Sequence, residues 1–370
     1  MLTLGIHDGH TATACIMEDG RVLACISEER LNREKEWEGF PEQAIKKCLE
    51  ITGKSPDQFH GVGICSLMPQ IGHGGYYRPS RTKRLFGRLV RIVPQAVLQR
   101  ESNIGIVQAI GAYLSSNRRE RLAEKIKALG FDCPYDFYEH HRLHAATAYY
   151  TNWHRPDPCL VITLDGSGDG VSGTVSVGKN GTLTRISGLF NYNSLCEFYT
   201  RVTQYLGMKP MSHEYKVMGM APYADEKYRE DLLAVFRRYF RISTNDPLQI
   251  HNTSGKWKWQ FLDLFRKELF EKRFDNIGGA VQALFEEVVV SWVRNAISMT
   301  GIRDLALSGG GFMNVKVNGK ILNVPEVDSL FVFPSCGDES NPIGAAILAA
   351  LGQGFGYREI SPLDMISWGP

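Results

Sequence analysis

Two histidines one helical turn apart are the first residues in this chain whose spacing invites chemistry. They are His140 and His144 in Glu-His-His-Arg-Leu-His-Ala-Ala, and an i, i+4 spacing on a helix puts both imidazoles on one face. Such a pair can supply two ligands to one metal ion. It can also be a pair of capping or packing groups. The Ala145-Ala146 that follow let another element approach closely, which tilts the balance toward the metal. His141 points elsewhere, toward the surface or a supporting position. Two carboxylates could complete a ligand set. Asp165 ends an apolar run just before Gly166-Ser167-Gly168, and Asp338 follows another strand-like run in Cys336-Gly337-Asp338-Glu339. Ligands at the carboxyl ends of strands in an open α/β sheet converge on one crevice. Two histidines and two aspartates make a mixed N/O set that suits iron, manganese or zinc. Turn chemistry alone would also account for each aspartate.

Three glycine-rich turns follow strand-like runs. They are Gly5-Ile6-His7-Asp8-Gly9-His10-Thr11, Asp165-Gly166-Ser167-Gly168-Asp169-Gly170 and Ser308-Gly309-Gly310-Gly311. Glycines allow the backbone to turn its amides toward phosphate oxygens, and the third turn also opens a helix. None of the three matches GxxxxGK[ST] or GxGxxG, so P-loop and dinucleotide-fold readings fail on pattern. A single such loop is an ordinary hairpin; three in one chain favour a nucleotide cleft between two lobes. His10, beside Thr11 and Thr13, could deprotonate a hydroxyl nucleophile or serve as a structural group bonded to the turn. Lys216, in His213-Glu214-Tyr215-Lys216, could neutralise phosphate charge or be an exposed helix lysine.

The elements that must position these residues repeat. Leu2–Ile6, Thr11–Met17 and Arg21–Ser27 read as three strands, with Glu18-Asp19-Gly20 as the hairpin turn between the last two. A helix over Glu42–Ile51 and a strand over Gly61–Ser66 follow. The same order returns as Cys159–Leu164, Val171–Val177, an Asn180-Gly181 turn, Leu183–Leu189 and a helix from Ser194 to Leu206. In both copies an Asp-Gly stands 11 residues before the hairpin turn: Asp8-Gly9 and Asp169-Gly170. Between the copies, residues 104–129 are predicted helical, Pro134–Glu139 a strand, and His140–Thr151 a helix. Beyond the second copy, helices fit Lys227–Phe240 and Gly278–Met299. The chain then alternates strand Asp304–Leu307, helix Phe312–Leu322, strand Ser329–Phe333 and helix Asn341–Leu351. The pattern predicts an α/β fold with parallel pairing at its end. It divides into a first lobe over residues 1–157 and a second over 158–370, whose last helix is free to pack back on the first.

Composition narrows the function classes. Hydrophobic residues at 43% and charged residues at 22% exclude a disordered chain. Forty-two Lys and Arg against forty Asp and Glu leave a net charge of +2, which favours neither nucleic acid nor membrane as a partner. No apolar run reaches the length of a membrane span. Eight cysteines are scattered without a CxxC, as in a reduced, cytoplasmic protein. Arg78 to Arg91 carries six cations and no acid. It reads as a solvated loop or amphipathic helix, or as a capture surface for an anionic substrate or partner.

The start (LGIHDGHTATACIMEDGRVLACISEERLNREK), the middle (EHHRLHAATAYY, LDGSGDG, HEYKVMGMAPY) and the end (LSGGGFMNVKVNGKIL, PSCGDESNPIGAA) together resemble the O-carbamoyltransferases of the nodulation-protein-U and tobramycin/cephamycin type. The resemblance runs nearly the length of the chain, in order. It implies a duplicated actin/Hsp70/sugar-kinase-like (ribonuclease H-like) fold with two lobes around a nucleotide cleft. It also implies a two-stage reaction. ATP and carbamoyl phosphate, the ultimate donor, give carbamoyl-adenylate in a YrdC-like domain, and a hydroxyl of a small-molecule or saccharide acceptor then attacks its carbonyl. Carried over, His140, His144, Asp165 and Asp338 bind the metal, with iron the first expectation and manganese or zinc the others. His10 corresponds to the family's base, while Gly166, Ser167, Gly168, Lys216, Gly309, Gly310, Gly311 and Asn314 hold the nucleotide. The family has Asp where Thr11 stands, and His7-Asp8 precedes it, so His7 and His10 both remain candidates for the base. A YrdC-like adenylating domain is expected in the same polypeptide beyond Pro370 or in trans, and a homodimer is allowed. The chain alone is not expected to make carbamoyl-adenylate. Two other classes stay open: a regulatory module that keeps nucleotide and metal without catalysis, and a sugar-kinase-like phosphotransferase. The latter would need a carboxylate base and no bihistidine.

Overall fold

The computed structural model describes residues 1–68, 94–364 and 366–369. The basic run 78–91 lies outside the described residues. The chain opens with β1 (Leu2–His7), β2 (Thr13–Glu18) and β3 (Arg21–Ser27), an antiparallel meander. Helix α1 (Glu42–Thr52) then leads to β4 (Gly61–Cys65), which pairs parallel to β1. Helices α2 (Asn103–Leu114) and α3 (Ser116–Ala128) precede β5 (Tyr135–Tyr138), which closes a sheet of order β3-β2-β1-β4-β5. All six residues of β1 are buried, or nearly so, because both faces of the central strand are covered.

Helix α4 (His140–Thr151) leaves this sheet and the second begins. It is built from β6 (Cys159–Gly168), β7 (Val171–Lys179) and β8 (Thr182–Phe190), again an antiparallel meander. Then come α5 (Leu195–Tyr205), α6 (Glu214–Met220), α7 (Glu226–Phe236), the ribbon β9 (Phe240–Ile242) with β10 (Ile250–Asn252), α8 (Phe261–Glu268) and the long α9 (Phe274–Thr300). The chain ends through β11 (Asp304–Ser308), α10 (Val315–Leu322), β12 (Ser329–Val332) and α11 (Asn341–Gly352). The second sheet has the order β12-β11-β6-β7-β8, with β11 parallel to both β6 and β12. Strand order and direction therefore repeat, and the fold is the duplicated actin-like, sugar-kinase-like α/β architecture. The hairpin turns match as well: Asp19 and Gly20 have φ of 47° and 78°, Asn180 and Gly181 51° and 74°. Two consecutive positive φ values are what a tight hairpin turn requires.

The last helix of each half packs beyond its own sheet. Helix α4 follows β5 yet lies against β6, β7 and β11; α11 follows β12 yet lies against β1 and β4. Gly5 and Gly63 make that second contact feasible. A Cβ on Gly5 would stand 1.8 Å from the Pro342 carbonyl oxygen, and one on Gly63 2.2 Å from that of Ala345. Helices α4 and α11 also touch each other, with Gly344 against the Leu143 carbonyl and Thr147 donating to Ser340 O at 3.3 Å. The N-terminal ends of these two helices thus meet between the sheets.

The structure departs from the sequence expectation where polar groups compete with regular helix. The helix expected over 104–129 breaks at Ser115, whose hydroxyl donates back to Gly111 O at 2.6 Å. The helix expected to start at Phe312 begins as a short 3₁₀ turn, and α10 starts only after Asn314, whose side chain accepts the Val317 amide. Helix α7 stops at Phe236, and Phe240 begins β9. Among the described residues no helix is long and apolar enough to cross a membrane, and all eight cysteines are free.

Candidate active site

Glu139 caps α4, its carboxylate accepting the His141 and Arg142 amides. The capped first turn presents His140, and one turn on stands His144; both are fully buried. Asp165 comes from β6 just after Leu164, where the β6–β7 register breaks. Asp338 stands at the start of the turn that leads into α11. The structure brings these four residues together, and among the described residues they are the one cluster able to hold a metal. His140 Nε2 lies 3.1 Å from His144 Nε2 and 3.1 Å from Asp165 Oδ2. It is 3.3 Å from Asp338 Oδ1, while His144 Nε2 is 3.6 Å from Asp165 Oδ2 and 3.4 Å from Asp338 Oδ1.

Those five separations are compatible with donors on one small cation, and all four ligand atoms lie within 4.8 Å of one another. Bonds of about 2.0–2.1 Å in a tetrahedral arrangement set donor atoms roughly 3.3–3.4 Å apart. The outer ring nitrogens agree. Ser66 Oγ stands 3.4 Å from His140 Nδ1 and Ser308 Oγ 3.3 Å from His144 Nδ1. With Nδ1–H directed at each serine, both Nε2 lone pairs face inward beside two carboxylates. Four lone-pair donors converging on one point repel unless a cation or protons lie between them. Two carboxylates balance the charge of a divalent ion in a site this buried. The residues present fit a divalent metal.

Without a cation, protons would take its place. Burial opposes charge on His140 and His144, but the Asp338 and Asp165 carboxylates outweigh it and raise both pKa values, that of His140 well above the ordinary range. Burial likewise pushes Asp165 and Asp338 up, yet the imidazoles hold both below the usual carboxylate value. His141, expected at the surface or in a supporting position, is fully buried. Its Nδ1 is 2.8 Å from Thr163 Oγ1 and its Nε2 3.2 Å from Val171 O, so it fastens α4 to the second sheet.

A cleft of about 600 Å³ opens over the cluster, lined by residues of both halves. His10, Asp165, Gly166, Ser167, Gly310, Gly311, Asn314 and Asp338 all face it. The other expected nucleotide contacts sit differently. Gly168 is buried against His140: a Cβ there would lie 2.1 Å from the imidazole Cγ. Gly309 stands in the left-handed region (φ 101°) against the Leu164 carbonyl. Lys216 is outside the cleft lining, 3.2 Å from His213 Nε2. The Asn314 amide is paired with that of Gln282 through bonds of 2.9 and 3.0 Å.

Sequence reasoning missed several residues around the cleft. Glu197 is nearly buried on α5 and takes Arg201 Nη2 at 2.9 Å and Lys258 Nζ at 2.5 Å. Burial pushes its carboxyl up, but the two cations bring it down to about 2. Lys209 bridges to Glu36 at 2.5 Å, and both line the cleft. No local pattern marks these partners, because 61 and 173 residues separate the members of the Lys258–Glu197 and Lys209–Glu36 pairs. His7 is buried, outside the cleft lining, with Nε2 2.9 Å from His10 O.

Similarity to known proteins runs along most of the chain. A family model described as Carbamoyltransferase N-terminus matches residues 2–347. Nodulation protein NolNO of Sinorhizobium fredii (strain NBRC 101917 / NGR234) is 28% identical over 369 residues, 99% of this chain and 49% of that protein. Nodulation protein NolO of Bradyrhizobium diazoefficiens is 31% identical over 235 residues, 62% of this chain and 41% of that protein. The chain spans about half the length of the curated relatives it matches. Among solved structures, component A of the (R)-2-hydroxyglutaryl-CoA dehydratase of Acidaminococcus fermentans matches 96% of this chain and 99% of that one, at 16% identity and a TM-score of 0.47.

Proposed function

The chain belongs to the family of carbamoyltransferase N-terminal modules, and from that premise we propose that its cleft transfers a carbamoyl group from carbamoyl-adenylate to a hydroxyl of a small-molecule or saccharide acceptor. The observation that carries this reading is the four-donor cluster of His140, His144, Asp165 and Asp338 on the floor of a cleft that His10 and the glycine turns also face. His10 takes the hydroxyl proton as the acceptor oxygen bonds to the carbamoyl carbon and the carbon–oxygen bond to the adenylate phosphate breaks, releasing AMP. The burial of His7, outside the lining, supports His10 as the histidine a substrate can reach. The backbone at Gly310 and Gly311 would receive the adenylate phosphate, with Gly166 and Ser167 opposite. A bound divalent ion, iron, manganese or zinc, would supply Lewis-acid stabilisation of charge on the phosphate or carbonyl oxygen. Carbamoyl-adenylate itself would come from ATP and carbamoyl phosphate at a separate YrdC-like adenylating domain, in cis or in trans.

The test supplies preformed carbamoyl-adenylate to the metal-loaded chain with a panel of polyols and saccharides. AMP release matched by a carbamoylated product in mass spectrometry is the expected result, lost in His10→Ala. Carbamoyl-adenylate decaying at the same rate with wild type, His10→Ala and no protein, across the panel, would sink the proposal. Pyrophosphate release from ATP and carbamoyl phosphate with this chain alone would overturn the assignment of adenylation to a separate domain.

A further inference from the structure

The two aspartates at matching places in the duplicated turns, Asp8 and Asp169, both reach toward the same short stretch of chain. That stretch is residues 65–68, the exit of β4, which carries Ser66 in the left-handed region (φ 69°). On one side Arg118, buried on α3, donates Nη1 to Ser66 O and Nη2 to Cys65 O, each at 3.0 Å. Asp8 holds that guanidinium through both carboxylate oxygens, with Nε at 3.0 Å from Oδ2 and Nη2 against Oδ1. On the other side Asp169, 3% exposed, accepts the Leu67 amide on Oδ2 and the Met68 amide on Oδ1, both at 2.9 Å. Asp169 Oδ2 also accepts the amide of His140 at 2.9 Å. The Cys65 and Ser66 carbonyls are therefore held from the first copy and the Leu67 and Met68 amides from the second. Ser66 Oγ lies between these grips, 3.4 Å from His140 Nδ1.

We propose that Asp8, Arg118 and Asp169 are positioning residues for the metal centre: they clamp residues 65–68 and the first turn of α4 together, so that Ser66 holds the His140 ring with its Nε2 lone pair aimed at the ion. The chemistry requires some such device. A histidine binds metal through one nitrogen only if a partner fixes the other, and loss of such partners ordinarily weakens binding 10- to 100-fold. Asp169 fixes the His140 backbone, and the clamped Ser66 faces its ring. Asp169→Asn retains one carbonyl oxygen but puts an NH₂ where a second acceptor stood, so it cannot receive all three amides. Arg118 likewise grips both carbonyls at once, and a lysine cannot span two carbonyls and a carboxylate in one plane.

The inference rests on the metal reading above and is tested without any turnover assay. Co²⁺ is titrated into the metal-stripped full chain against a competing chelator, with the visible absorption spectrum reporting coordination and urea unfolding reporting stability. Asp169→Asn and Arg118→Lys are expected to raise the Co²⁺ Kd by roughly 10- to 100-fold, and Ser66→Ala to raise it less, each with an altered cobalt spectrum. Leu232→Ala, a buried position on α7 whose helix packs on α9, serves as the destabilised control with an unchanged Kd. Should clamp variants fail to fold, amide exchange on the wild type decides. Leu67, Met68 and His140 must gain protection together on Co²⁺ addition, and independent or absent responses overturn the proposal. Variants that lose stability while keeping the wild-type Kd and spectrum also overturn it, leaving the clamp a folding device. If wild type binds no Co²⁺ at His140 and His144, the metal reading itself falls and this inference with it.

Discussion

The first turn of each repeat occupies the same place at the end of a central strand, yet the two carry different chemistry. The turn after β1 offers His10 to the cleft and no member of the four-donor cluster; the turn within β6 offers Asp165 to that cluster. Their aspartates differ too, Asp8 gripping a guanidinium and Asp169 three backbone amides. The repeat supplies two equivalent scaffolds, and under the function proposed above one is the proton-handling side and the other the ion-holding side. The exchange of α4 and α11 between the sheets then brings both products of that divergence to one point.

The largest break in that asymmetry comes from the ion-holding side. His140→Ala or Asp338→Ala should abolish stoichiometric metal, read by elemental analysis of folded protein, because each removes one of four donors and leaves buried carboxylate or imidazole uncompensated. On the proton-handling side, His10→Ala should slow carbamoyl transfer about 10²- to 10⁴-fold, the usual worth of a general base, with metal content unchanged. Equal loss of metal in both variants would erase the division of labour between the turns.

A steric contrast inside the second turn sharpens the picture. Gly168→Ala would thrust a methyl into His140 and should cost about 1–3 kcal/mol in urea unfolding. Gly166→Ala, with nothing within 4 Å of its added Cβ, should stay within about 0.5 kcal/mol. A further contrast is electrostatic. Glu42 of α1 pairs with Lys46 in solvent, whereas Glu197 of α5 is nearly buried between Lys258 and Arg201. Its folded pKa of about 2 lies below the ordinary 4.5. The stability it contributes is therefore fully present above about pH 4.5 and lost as pH falls toward 2. Glu197→Gln should flatten that acid limb of the unfolding curve, and an unchanged limb would count against the burial argument.

Much of this was legible in the residues because the signals were local. Period-two strands, positive-φ hairpin pairs such as Asn180-Gly181, and the i, i+4 histidines each declare themselves within a dozen residues. The repeat exposed Asp8 and Asp169 as equivalents, but not what each holds, since Arg118 and Leu67 lie 110 and 102 residues away from them. Gly168 and Gly309 read as phosphate contacts from pattern, and the structure places both where a neighbouring group leaves no room for a side chain. Helix α8 and the β9–β10 ribbon escaped because they are short and packed by tertiary context rather than announced by periodicity.

On the proposed reading, His140, His144, Asp165 and Asp338 hold one ion between the two divergent turns. Metal analysis of the chain purified without chelators, beside His140→Ala and His144→Ala, tests it most directly. About one equivalent of a divalent transition metal in the wild type, lost in both variants, is the predicted result. A folded wild-type chain that neither carries nor takes up such a metal, or variants that retain it in full, would contradict the account.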